Sequence, residues 1–275
     1  MMDGFFASEV MRDALWPALL IAVVASTVSV MVLAHRLSFL TVGVAHASLA
    51  GLGLAAVTGL PLLPMASLVA VSVALLLPWM PTGKGIHNDA ASGMLFSGSM
   101  ALGVLLLAGA DRQQVDIFGL LFGNILLISQ QDISYLMLIS CGVMVAVAWA
   151  ARVWWSIAFD ATTAEANGVP VQRYRLLLYA VVGLTVILCV KLAGVVLTTG
   201  LMVLPAAIAW FWGRSLWSLW WVSMVAAITG VFGGLMVSYA ADWPAGATIV
   251  MMLCLLFCGS WGTQWLMQRD RRSQI

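Results

Sequence analysis

One histidine, His46, interrupts the segment VGVAHASLAGLGLA at 42–55, where every other residue except Ser48 is Ala, Gly, Leu or Val. An imidazole in such surroundings can donate to a backbone carbonyl or a neighbouring hydroxyl, or offer a lone pair to a divalent cation. An ionisable group at membrane depth is a functional hypothesis by default. The other two histidines sit at helix ends. His35 adjoins Arg36 and reads as interfacial. His87 precedes Asn88 and Asp89 and reads first as part of a solvated loop, with an exit ligand pair of His87 and Asp89 as the alternative, while Asp89 also suits the N-cap of a helix starting near Ala90. Asp111, Asp116, Asp132 and Asp242 form an acidic set that would attract divalent cations, or simply be solvated loop carboxylates. The four cysteines lie in apolar runs. Cys254 and Cys258 share a helical face with no His or carboxylate beside them, so they read as packing. PTGKG at 81–85 only resembles a phosphate loop. Pro78 stands where the first Gly is needed, and Gly85 follows Lys84 where Ser or Thr is required. No nucleotide-binding loop is therefore expected in this chain, and no cofactor is expected to be held permanently.

The elements that position these residues follow from composition. Of 275 residues, 63% are hydrophobic and 8% charged, against about 25% charged in a soluble domain. The reading is an all-α polytopic membrane bundle, a single transmembrane domain over 1–275 with no room for a second soluble one. A net charge of +1 carries no signal for nucleic acid. Spans are predicted at 14–34, 38–58, 62–80, 91–109, 133–151, 174–190, 194–212, 217–239 and 246–266. Lys191, Gly194 and Thr198-Thr199-Gly200 mark the sixth and seventh as shortened, broken or re-entrant, so the count is eight to ten. The acidic N-terminal flank MMDGFFASEVMRD is wrong for a cleaved signal peptide, and the first span is expected to be retained.

Charge asymmetry orients the bundle. With the loop 152–175 inside, nine of the twelve Lys and Arg residues fall inside, leaving Arg12, Arg112 and Lys191 outside. The C-terminus is then cytoplasmic, and the acidic set faces out. Lys191 either snorkels to the interface or pairs with Asp242. Tryptophans near the inner ends, Trp154-Trp155 and Trp220-Trp221 among them, read as interfacial anchors. Small residues make stripes at Gly43, Ala47, Ala50 and Gly51, at Gly119 and Gly123, and at Gly230 and Gly234. Such spacing lets helices approach closely, whether for static packing or for movement.

The longest polar stretch, SIAFDATTAEANGVPVQRYR at 156–175, has helix punctuation of its own. Asp160 suits an N-cap over 161–167, Gly168 a C′ position, and Pro170 prevents continuation. The result is a short helix outside the membrane, either a capped loop or a docking element for a cytosolic partner.

Taken together, FDATTAEANGVPVQRYRLLLYAVVGLTV, KLAGVVLTTGLMVLPAAIA, DWPAGATIVMMLCLLF, RLSFLTVGVAHASLAGLGLA, NDAASGMLFSGSMALGVLLL and IFGLLFGNILLIS resemble, in order and over essentially the whole chain, the permease subunits of zinc/manganese/iron ABC importers. The resemblance implies a type II importer. In it two copies of the chain form the path across a bacterial cytoplasmic (inner) membrane. Two cytosolic ATPase subunits drive it, and an extracytoplasmic metal-binding protein delivers the ion. The family's coupling helix falls on 160–168, with Glu165 and Arg173 as polar contacts to the ATPase. The metal path falls on the HAS motif, His46 and Ser48. Many members carry Asp one turn before that histidine, where this chain has Val42. His46 then needs a further ligand from the second copy, another span or water. Imidazole without that carboxylate tilts the expected cargo to zinc, with manganese next. The alternatives are an ion-coupled secondary transporter, disfavoured because every Asp and Glu lies at a predicted loop or span end, and an intramembrane enzyme, for which no His-Glu-x-x-His or Ser/His pairing is present.

Overall fold

In hydrocarbon every backbone N–H and C=O needs a partner within the chain, which makes the helix the default for apolar runs of this length. The computed structural model describes residues 9–80, 88–109 and 130–272. Among them are ten α-helices: α1 (Glu9–Ala34), α2 (Ser38–Thr58), α3 (Leu62–Leu76, continued by a 3₁₀ turn Leu77–Trp79), α4 (Asn88–Gly109), α5 (Gln130–Phe159), α6 (Ala161–Ala166), α7 (Val171–Ala193), α8 (Val195–Trp212), α9 (Leu216–Ala241) and α10 (Ala245–Arg272). Eight helices among the described residues are long and apolar enough to cross a membrane. The shorter α8, with an apolar stretch Thr198–Trp212, packs inside the bundle against α1, α2, α9 and α10. Its 18 residues rise about 27 Å, close to the roughly 30 Å of a bilayer core.

The irregular cluster around residue 194 turns out to be a break between two helices. Gly194 ends α7 and precedes α8 with φ 80° and ψ 166°, a conformation open essentially to glycine alone. The Thr198 hydroxyl donates to the Gly194 carbonyl at 2.7 Å and tightens the new helix start. Within α8, Pro205 locally interrupts the hydrogen-bond ladder. Beside it, the Ala206 N–H donates to Ser29 Oγ on α1 at 3.2 Å. On the neighbouring helix the Ser223 hydroxyl donates to the Ser26 carbonyl at 3.0 Å. Two serines of α1 thus tie α8 and α9 to it, as polar side chains do between helices in lipid.

The glycine stripes are close-contact surfaces. A Cβ on Gly51 would stand 2.7 Å from Ala66 Cα, one on Gly103 2.8 Å from the Ala50 nitrogen, and one on Gly234 2.5 Å from Ile249 Cα. These contacts set α2 against α3 and α4, and α9 against α10. Gly119 and Gly123 lie outside the described residues. The tryptophans divide. Trp16, Trp79, Trp149, Trp217 and Trp261 are exposed, as an interfacial belt requires. Trp154 and Trp155 are buried instead, contrary to the anchor reading. Trp154 is interior because its indole N–H donates to the Tyr174 carbonyl at 2.8 Å, pinning α5 to α7.

Candidate functional site

His46 is the ninth residue of the twenty-one in α2 and is half-buried. Its Nδ1 lies 3.0 Å from the Val42 carbonyl, one helical turn earlier. A carbonyl can only accept, so Nδ1 carries the proton and donates. In the neutral ring that leaves the Nε2 lone pair as the one available to a cation. The edge of the imidazole meets Phe96 of α4, with ring centroids 4.5 Å apart and planes at 80°. That contact forms because α4 comes close beside Gly43, where an added Cβ would sit 3.5 Å from the Ser92 carbonyl. Position 42 thus serves His46 through its backbone although its side chain is apolar.

Of the other expected path residues, Ser48 and Asp242 are not gathered around this ring. Ser48 is fully buried, and its hydroxyl donates to the Ala45 carbonyl within its own helix. Two residues along a helix lie about 200° apart around the axis, so Ser48 and His46 leave α2 in different directions. Asp242 is exposed and follows the last residue of α9. It takes a left-handed conformation with φ 55°, and its N–H donates to the Ser238 carbonyl. His87, Asp111 and Asp116 lie outside the described residues. Asp89 opens α4 and Asp132 opens α5, but their side chains also lie outside the description. Among the described residues no three His, Cys, Asp or Glu side chains come together as a metal cluster. Phe96 escaped the sequence reading, because nothing in one chain's pattern reveals that α4 packs on α2.

The short helix has the capping expected of it. Asp160 Oδ1 accepts from the Thr162 N–H at 2.9 Å and the Thr163 N–H at 3.2 Å, and Oδ2 accepts from the Thr163 hydroxyl. These bonds, the Thr163 hydroxyl first, hold the Asp160 carboxyl below its ordinary range, against a small opposing effect of desolvation. At the other end Gly168 has φ 82°. Its N–H donates to the Glu165 carbonyl at 2.9 Å, and the Val169 N–H donates to the Ala164 carbonyl at 3.1 Å, a Schellman ending. Ala164 is buried in a small cluster with Ile157 and Val171, which fastens α6 to the ends of α5 and α7. Thr162, Thr163, Glu165 and Asn167 stay exposed, as does Arg173 at the start of α7. The product is a rigid, polar knob fixed to the bundle by its apolar underside.

A bundle of long spans around a buried short helix, with one oriented imidazole in mid-span and a pinned knob at one end, defines a polytopic α-helical transport subunit. The chain belongs to the ABC 3 transport family, whose profile matches residues 7–263. It is 28% identical over 255 residues to the manganese import system permease protein ScaB of Streptococcus parasanguinis, covering 93% of this chain and 91% of that one. It is 26% identical over 249 residues to the manganese transport system membrane protein MntB of Synechocystis, covering 90% and 81%. The fold is similar to that of PsaBC from Streptococcus pneumoniae, solved in complex with Fab. The TM-score is 0.85 at 26% identity, with 94% of each chain covered. Membership decides between the two transporter classes: the chain is of the ABC type and not an ion-coupled secondary carrier.

Proposed function

We propose that this chain is the membrane-spanning permease subunit of an ATP-driven importer of a divalent transition metal. It works as two copies in a bacterial cytoplasmic membrane, with its C-terminus inside. Hydrolysis belongs to a separate cytosolic ATPase pair, and an extracytoplasmic metal-binding protein supplies the ion. The observation that carries the reading is the placement of His46. Its ring, held through Nδ1 by the Val42 carbonyl, sits in mid-span of a chain of this family. One such ligand per copy makes a weak site, which suits an ion that must leave again.

Imidazole favours zinc, whereas manganese prefers carboxylate oxygen. Relatives named for manganese support the second cargo. Ser48, His87, Asp89 and Asp242 are proposed as secondary contributors along the path. The α6 knob, with Asp160 and Gly168 as its caps and Glu165 and Arg173 on its exposed side, is proposed to seat in the ATPase and transmit its closure. Reconstitution with the ATPase and the binding protein, followed by uptake of zinc, manganese and iron, tests the whole. Uptake is expected for zinc or manganese and to fall to background in His46→Ala. Undiminished uptake in that variant would sink the path assignment.

A further inference from the structure

At the end of the bundle that the Lys/Arg bias assigns to the cytoplasm, a cavity of about 610 Å³ opens between the α1–α2 turn, the 3₁₀ turn after α3, and the ends of α4, α5 and α7. His35, Arg36, Ser92, Arg175 and Tyr179 line it, alongside apolar walls that include Phe39. Among the described residues no acid lines it. The nearest acids along the chain are Asp160, whose carboxylate caps α6, and Asp89, whose side chain lies outside the description.

Two further features favour an anion here. Arg36 occupies the left-handed C′ position of a Schellman ending on α1, with φ 57°, and the Leu37 N–H donates to the Val32 carbonyl at 2.8 Å. Glycine is the ordinary occupant of that position, so an arginine there is a backbone outlier that points to a use for its side chain. The following helix, α2, has Leu37 at its N-cap with no side-chain cap, which leaves the positive end of its dipole at the cavity. His35 lies beside them with Nε2 buried and without a partner, and it is not itself a donor to phosphate. Burial, and to a lesser degree Arg175, lowers the pKa of His35, while its bond to the Trp154 carbonyl opposes them.

We infer that this cavity binds a phosphate group, presented by the headgroup of an anionic phospholipid of the inner leaflet. Basic pockets between spans on the cytoplasmic side suit such headgroups. Two guanidiniums, an uncapped helix start and a tyrosine hydroxyl are phosphate partners. The apolar walls and the half-exposed Phe39 (58%) match the glycerol and upper acyl chain better than they match a free ion.

The test is a thermal-shift titration of the full chain in detergent with phosphatidylglycerol, phosphatidylcholine or inorganic phosphate. Phosphatidylglycerol is expected to raise Tm saturably, with phosphatidylcholine inert. Arg36→Gly and Arg175→Gln should each weaken the apparent affinity about tenfold or more, and Arg152→Gln, outside the cavity, should leave it unchanged. Arg36→Gly relieves the left-handed strain, so it should fold at least as well without lipid, which separates loss of ligand from loss of structure. An equal response in all variants, or no response to any probe, overturns the site. An arginine-dependent response to inorganic phosphate alone overturns the headgroup as the source.

Discussion

The Val42 carbonyl engages Nδ1 of His46, so the nitrogen left to meet a cation is Nε2. An aspartate side chain at position 42 would add an oxygen donor one turn away, on the same face. Val42→Asp is therefore expected to shift uptake towards manganese relative to zinc, measured by competition in reconstituted vesicles. A ratio identical to that of the native chain would show that position 42 does not face the ion. The presence of the imidazole was legible from the sequence, because one ionisable side chain in an apolar helix stands out. Its protonation pattern and its contact with Phe96 were not, since one is set by local helix geometry and the other by a helix about fifty residues away.

Among the elements, α6 was readable almost to the residue. Asp160, Gly168 and Pro170 act through bonds spanning no more than five residues, and such bonds need no tertiary partner. The Asp160 carboxyl is held low by its bonds in the folded state, so its contribution is present at neutral pH. It is lost as pH falls through the folded value, below about pH 4. Amide exchange at Thr162 and Thr163 is expected to accelerate selectively in that acid range. Asp160→Ala should show the same acceleration at pH 7, while Asp160→Asn keeps most of the protection. The long helices offer a second contrast. Gly234→Ala places a methyl against the Ile249 backbone and should lower stability by about 1–3 kcal/mol. Gly98→Ala meets nothing within 4 Å in the single chain and should raise it by about 0.5–1 kcal/mol. Denaturant or thermal unfolding in detergent measures both. A destabilising Gly98→Ala would show that another surface covers that face.

For the whole molecule, two copies are proposed to make the path, because a single His46 has no cluster of metal-ligating side chains around it among the described residues. Native mass measurement of the purified chain is expected to give twice 29.3 kDa plus bound detergent and lipid. A strictly monomeric chain that still supports uptake with its ATPase would refute the paired arrangement. The packing of α1 with α8 and α9 ties distant parts of the chain into one bundle. The first helix is joined to the last third of the chain by Ser29 and Ser26.

By itself the sequence determined the membrane class, the span positions, the capped knob and the one mid-span imidazole. Each depends on composition or on interactions within a few residues, and the bilayer supplies a length scale that apolar runs must meet. Only the tertiary structure decided which helices touch, and with that the packing role of the α2 and α9 glycines. It also decided that Trp154 is interior and that His35, Arg36 and Arg175 share a cavity. The physical reason is common to all of these. In lipid, helices associate through shape and a few buried hydrogen bonds between residues far apart in the chain, and no periodicity within one helix records its partner.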